Sequence, residues 1–307
     1  MNKKTSKAFT MIELIFVIVI MGILAKFGVE FLAQAYNSFI HSKINNQLQG
    51  QSEAAVEFVA NRLQYRIKDS VIARESNNSF SGLPGYTNAT APILEWVGSD
   101  IEGFRGNSLP YWSGVIDLAD SNATRLKSPE TNTTAINNLI KVLANYIAPP
   151  DTTIDHAALY FVDSDNDVQN GYGWDGTPIV DQNRTMHPIT AASINEFAPA
   201  VGSFSGVAVS DYYKLAWTAY AVGISDYNIG INAGKNVGTL MLYYDYQPWE
   251  GEDYNNTSAK SQIIMQDVST FQFMAVGSLV KIQVCVKSNL LEDENGSYSI
   301  CKEKTIY

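Results

Sequence analysis

Residues 11–25, MIELIFVIVIMGILA, are apolar apart from Glu13 and follow a short leader holding Lys3, Lys4 and Lys7. No other stretch limits the fold as severely, because such a run must lie in a core, a bilayer or an assembly. A secretory signal peptide shares the basic start and the apolar run. Here the small-residue junction, Ala8-Phe9, lies ahead of the run and no A-x-A site follows it. A cut at that junction removes the leader and keeps the apolar segment. Residues 9–25 are slightly short of the roughly 20 needed to cross a bilayer core. Phe27, Val29, Phe31, Leu32 and Ala33 make up the length, with Lys26 and Glu30 near the far interface. The leader lysines hold the N-terminus inside and place everything after the span outside the cytoplasm. A carboxylate among membrane apolar residues is costly unless paired. Glu13 is therefore either matched by a positive group or snorkels to the inner interface.

The helical pattern continues past the membrane. No proline occurs between Phe9 and Arg74, and Ile44, Leu48, Ala55, Val59, Leu63, Ile67 and Val71 recur at spacings of four and seven. That is one apolar face of a helix, with Gln47, Gln49, Glu53, Glu57, Arg62, Arg66 and Lys68 largely outside it. The spacing predicts one helix from about residue 10 to 74. Gln51 and Ser52 interrupt a heptad seam, which argues against a coiled coil.

The basic leader, the Ala8-Phe9 junction, Glu13 four residues after Phe9 and the apolar run resemble together the N-terminal signature of type IV pilins and type II secretion pseudopilins. The resemblance implies that a prepilin peptidase cuts before Phe9, that Phe9 is then N-methylated, and that Glu13 meets the Phe9 amine of a neighbouring subunit during filament assembly. The family usually has Gly before the cut. Here Ala8 stands there, small enough for cleavage. Major subunits usually carry a proline in this helix, and its absence points to a minor subunit. Residues 62–74, RLQYRIKDSVIAR, resemble the helix end of J-type minor pseudopilins and W-type minor pilins; 267–273, DVSTFQF, and 279–284, LVKIQV, resemble their late strand pair.

Three parts are expected: a leader at 1–8, the long helix at 9–74, and an extracytoplasmic head at 75–307. Within the head, 76–212 reads as a loop-rich insertion. Residues 75–135 are rich in Asn, Ser, Thr, Gly and Pro with short apolar patches at 93–97 and 111–116, which reads as long loops with a few short strands, and 135–147 suggests a short helix stopped by Pro149-Pro150. Residues 157–162 read as a strand. From 213 to 307 five β-rich runs (214–222, 237–246, 261–273, 278–287 and 297–305) predict an antiparallel meander whose apolar face covers the helix. The fold class is α+β: a long N-terminal helix packed on an antiparallel sheet.

The site candidates in the head are few. Asp163, Asp165 and Asp167 alternate as calcium ligands do. The EF-hand template fails at Val168, where Gly belongs, and at Trp174, where Glu belongs. Calcium and a solvated turn capped by its own side chains both remain open. Cys285 and Cys301 flank 289–296 in two β-rich runs, and outside the cytoplasm a disulfide is the default for such a pair. Seven Asn-X-Ser/Thr sequons occur, at Asn77, Asn88, Asn122, Asn132, Asn255, Asn256 and Asn295. Five have an acid two residues earlier: Glu75 before Asn77, Asp120 before Asn122, Glu130 before Asn132, Asp253 before Asn255 and Asp293 before Asn295. With 31 acids in 307 residues, random placement gives about 0.7. That acidic position resembles the acceptor of bacterial N-oligosaccharyltransferases; an Asn/Asp-rich loop composition is the alternative.

Nothing in the chain reads as an enzyme. His41, His156 and His187 are scattered, the first on the helix and the others in head loops. No nucleophile elbow, P-loop, dinucleotide fingerprint or H-E-x-x-H occurs, and 202–206, GSFSG, has its second serine one place late. Trp174, Trp217 and Trp249 either line a groove or pack a core. The net charge of −10, which becomes −13 without the leader lysines, argues against a general nucleic-acid binder. The expectation is a minor structural subunit of a secretion pseudopilus or type IV pilus, single-pass in the bacterial inner membrane with its head in the periplasm until assembled. Its partners would be other pilin or pseudopilin subunits, the prepilin peptidase and the inner-membrane assembly platform. The alternatives are an adhesive or DNA-uptake minor pilin with a ligand-binding head, and a non-polymerising membrane-anchored binding protein.

Overall fold

The computed structural model describes residues 10–86, 91–144, 152–164, 166–255, 259–293 and 296–307. Helix α1 (Met11–Leu63) is 53 residues long. The chain divides into two compact units, 1–50 and 51–307. In the first unit, apolar residues from Met11 to Phe39 stay exposed along the helix, Met11 by 83% and Phe39 by 63%. This helix contains a stretch long and apolar enough to cross a membrane.

In the second unit the last turns of α1 bury Ala55, Val59 and Leu63. The helix stops at Leu63, eleven residues before the end that apolar spacing predicts. The reason is competition for the backbone. The Ile67 N–H donates to the Val97 carbonyl, the Ser99 N–H donates to the Tyr65 carbonyl, and Arg66 bridges to Gly98. Ile67 and Val71 are buried as the pattern requires, but as extended residues on either side of a 3-10 turn at Lys68–Ser70, a backbone that suits their β-branched side chains. The Arg66 guanidinium donates to the Leu63 and Tyr307 carbonyls, tying the helix end to the C-terminus.

Three strands follow: β1 (Ile72–Arg74), β2 (Phe80–Gly82) and β3 (Ile93–Gly98). The short helix α2 (Ile101–Arg105), strands β4 (Asp117–Asn122) and β5 (Arg125–Lys127), and helix α3 (Thr133–Leu143) come next. Then come β6 (Ala158–Phe161), β7 (Met186–Ser193), β8 (Glu196–Pro199) and β9 (Tyr213–Ala216). The chain closes with β10 (Thr218–Ser225), β11 (Gly238–Tyr244), β12 (Lys260–Val276), β13 (Leu279–Asp293) and β14 (Gly296–Ile306). The strands build two antiparallel sheets. The larger has eight strands in the order β14-β13-β12-β11-β10-β3-β1-β2, and the smaller has six in the order β4-β5-β8-β7-β6-β9.

The fold class is α+β, as expected, with two differences in the head. The expected strand at 214–222 is two strands in different sheets, since β9 pairs with β6 and β10 pairs with β3 and β11. The crossing is at Trp217, whose carbonyl accepts from Gln247 Nε2 at 2.8 Å, while the next residue, Thr218, accepts the Asp245 N–H on its hydroxyl at 2.8 Å. Within 76–212, expected to be loop-rich, the expected strand at 157–162 forms as β6 and the expected helix at 135–147 as α3, but β4, β5, β7 and β8 of the smaller sheet form there as well, along with β2 and β3 of the larger one. The patch at 111–116 forms no strand beyond an isolated bridge, Val115 to Tyr212, but buries Trp112 and Ile116 in the core.

Two of the buried clusters among the described residues lie on the two sides of the smaller sheet. Ile93 and Val97 of β3 join Tyr160, Trp174, Met186 and Trp249 between the sheets. Ile136 and Ile140 of α3 join Leu126, Phe161, Phe197 and Leu215 on the other side of the smaller sheet. Trp96 lies against Tyr220 with ring centroids 5.8 Å apart, and the Arg62 guanidinium of α1 sits 5.4 Å over the Tyr220 ring. Space here is tight, because a Cβ on Gly98 would lie 2.5 Å from that ring. At the edge of the larger sheet, Lys304 of β14 pairs with Glu57 of α1 at 2.5 Å. Both side chains are half-exposed, so solvent screening holds the pair to about 1 kcal/mol.

Candidate assembly segment and head sites

Ala8 and Phe9 lie outside the described residues, so the described segment opens at Thr10. Thr10 and Glu13 form a reciprocal helix start. The Thr10 N–H and hydroxyl donate to Glu13 Oε2 at 2.9 and 2.8 Å, and the Glu13 N–H donates to Thr10 Oγ1 at 3.4 Å. This is a capping box, in which two otherwise unsatisfied backbone donors of the first turn are met by side chains. The spacing that marks it, Thr10-x-x-Glu13 ahead of an apolar run, is present in the sequence. Glu13 thus has a local partner within one chain. Around it, Ile12, Leu14, Phe16 and Ile18 are all exposed, which in water would be strongly unfavourable at roughly 25 cal/mol per Å².

The head buries one ion pair that sequence reasoning missed. Arg74 and Glu95 are 2% and 0% exposed and are joined by a charge-assisted hydrogen bond through Arg74 Nε. Arg74 also donates to the Trp174 carbonyl at 3.1 Å and the Asn78 carbonyl at 3.2 Å, and the Tyr246 hydroxyl donates to Glu95 Oε2 at 3.3 Å. Burial works against the Arg74 charge, but the Glu95 carboxylate, with Tyr246 and Asp253, holds the guanidinium above its usual value, while burial pushes the Glu95 carboxyl up against the pull of Arg74. The pair belongs to the core between the sheets.

His187 is not in a loop but on β7, buried against the Phe161 ring at 4.7 Å. Burial pushes it down to about 4, against a hydrogen bond with the Gln182 backbone, so it is neutral at physiological pH. Among the described residues its Nδ1 has no hydrogen-bond partner. His187, Gln182, Arg184, Asp163 and Asp167 line an open cleft of about 500 Å³. His156 sits in a 3-10 turn, and His41 is exposed on α1, so the three histidines do not meet. Trp174, Trp217 and Trp249 are all buried in the two clusters, so they pack the core.

Of the acidic turn, Asp165 lies outside the described residues. Asp163 Oδ2 accepts from the Ser210 hydroxyl at 3.0 Å. Asp167 accepts from the Gln169 and Asn170 N–H groups at 3.0 and 3.1 Å and from the Asn170 amide at 2.9 Å. Those bonds cap the turn from within it. Among the described residues no group of three His, Cys, Asp or Glu side chains is placed to hold a metal ion.

Cys285 and Cys301 face each other across the β13–β14 ladder and form a disulfide. A bridge closing a loop of this size stabilises by about 3 kcal/mol in the chain-entropy view. Among the sequons, Asn77, Asn122, Asn132 and Asn255 are exposed, while Asn88, Asn256 and Asn295 lie outside the described residues.

Residues 3–25 match the family described as the Prokaryotic N-terminal methylation motif. Comparison with curated proteins returned no match, and comparison with solved structures returned none either. The matched motif implies processing by a prepilin peptidase and assembly with other pilin subunits, and with the exposed apolar helix it fits a membrane-anchored pilin. The chain therefore carries the prepilin-type methylation motif, which supports a structural subunit of the pilin or pseudopilin type.

Proposed function

We propose that this chain is a minor structural subunit of a type II secretion pseudopilus or a type IV pilus, of the J or W kind. A prepilin peptidase cuts between Ala8 and Phe9, and the new N-terminal Phe9 is methylated. The subunit waits in the inner membrane as a single span, N-terminus in the cytoplasm and head in the periplasm, until the assembly platform draws it into a filament. One observation carries this reading: the methylation motif at 3–25 runs directly into a helix whose apolar side chains are exposed from Met11 to Phe39. Lipid first, and neighbouring helices after assembly, would cover that surface.

In the filament Glu13 exchanges its local partner, Thr10, for the Phe9 amine of a neighbour. The substitution Glu13→Gln separates the two roles, because glutamine serves in a capping box while lacking the charge. The variant should remain membrane-anchored and helical yet fall at least ten-fold in the sheared filament fraction or in cross-links to other subunits. Unchanged incorporation would reduce Glu13 to a helix cap.

A ligand-binding head is the second reading, favoured by the smaller sheet and its polar cleft of about 500 Å³. Binding of glycan or DNA by the chain with no co-purifying subunits would favour it over the structural reading.

A further inference from the structure

We propose that the head is an acceptor of N-linked glycan at Asn77, Asn122 and Asn132, the sugar coming from a polyprenyl-pyrophosphate-linked oligosaccharide. The proposal rests on the reading that places the head outside the cytoplasm. These three sequons are the ones with an upstream acid whose residues are all described.

At each of them the asparagine is exposed and its amide oxygen is already in use. Asn77, between β1 and β2, accepts from the Ser79 N–H at 2.9 Å and its hydroxyl at 2.7 Å. Asn122, at the β4–β5 turn, accepts from the Thr124 N–H and hydroxyl, both at 2.9 Å, and from the Arg125 N–H at 3.1 Å. Asn132 caps the N-terminus of α3, accepting the Ala135 N–H at 2.9 Å. In all three, Nδ2 makes no hydrogen bond among the described residues.

Glycan attaches at Nδ2 and leaves Oδ1 an acceptor. Modification therefore keeps every turn and cap bond and displaces no packed group. The bond formed joins Nδ2 to the anomeric carbon. The bond broken joins that carbon to the pyrophosphate, which departs with its lipid, and Nδ2 gives up one proton.

The acids supply the selectivity. Glu75, Asp120 and Glu130 stand two residues upstream, and Asp120 and Glu130 are exposed. A carboxylate so placed offers a charge-assisted contact to a basic side chain of the transferase. Tyr86 and Tyr254 occupy the same position before Asn88 and Asn256, which makes those sequons internal controls.

The test uses the full chain, co-expressed in a bacterium with a bacterial oligosaccharyltransferase and its lipid-linked oligosaccharide. Peptides from the membrane-extracted protein are mapped by mass spectrometry, and protease added to spheroplasts reports on which side the head lies. The expected result is glycan on Asn77, Asn122 and Asn132 and none on Asn88. Glu75→Gln, Asp120→Asn and Glu130→Gln should each lower occupancy at least ten-fold at its own site alone. Unmodified peptides from a head that protease digests would overturn the proposal, as would occupancy indifferent to the acids. A head shielded from protease would overturn it together with the topology on which it rests.

Discussion

The first unit and the head place their residues in opposite ways. From Met11 to Phe39 the apolar side chains of α1 are exposed, whereas the head buries even an arginine and a glutamate, Arg74 and Glu95, between its sheets. In water the first arrangement is unfavourable and the second carries a large desolvation cost. The difference teaches that the two units are built for different surroundings. The head carries its own core and satisfies the buried Arg74–Glu95 pair internally, through their mutual hydrogen bonds, the Tyr246 hydroxyl and the Trp174 carbonyl. The apolar helix requires lipid or other helices to complete it.

Removing half of the buried pair should produce the largest change. Glu95→Ala leaves Arg74 charged and unpaired in the core, at a cost of about 4 kcal/mol. Urea unfolding of the full chain in detergent, followed by tryptophan fluorescence, measures it. Membrane extraction should be unaffected, and a loss under 1 kcal/mol would mean the pair is not insulated from water.

The reverse experiment places a charge in the first unit. Ile18→Arg should cost about 3 kcal/mol of membrane insertion near the centre of the span, shifting protein from the membrane to the soluble or degraded fraction. Head unfolding in detergent should stay within error, because Ile18 lies in the exposed part of α1. A destabilised head would contradict the division between the units.

A pH change sharpens the contrast further. His187 sits at about 4 in the folded head, against a usual value near 6.5. The unfolded chain therefore binds more protons between those values, so the stability that His187 contributes is complete above about 6.5 and is lost as pH falls towards about 4. The difference is about 3 kcal/mol. Asp100 works the other way: burial pushes it up to about 6, and its contribution shrinks as pH rises from about 4 to 6. Comparing wild type with His187→Gln across this range isolates the histidine. The variant should lose less stability on acidification, and parallel curves would show that His187 does not titrate as buried.

The elements that were legible from sequence are those in which local pattern and tertiary structure agree. The late strands follow alternation of Val, Ile, Tyr and Thr, and the cysteine pair falls where β13 and β14 lie side by side. The helix end was not legible, because Ile67 and Val71 continue the apolar spacing while the Val97 carbonyl claims the Ile67 N–H. The smaller sheet was hidden for a different reason. β6 was legible as the apolar run at 157–162, but β4 is mostly exposed and polar, β5 has three residues, and β6 pairs with β9 more than fifty residues away, so no local signal shows that these strands form a sheet. Trp217 conceals a change of sheet inside what reads as one strand. At the assembly segment, the Thr10–Glu13 capping box is written in plain spacing, and the same carboxylate that is costly in a membrane is met by its own helix start.

Intact-mass spectrometry of the native protein extracted from membranes tests the central claim most directly. The account predicts a chain that begins at N-methylated Phe9, with Cys285 and Cys301 two hydrogens lighter through their disulfide. A chain still carrying residues 1–8 would contradict it and would make the apolar helix a simple anchor.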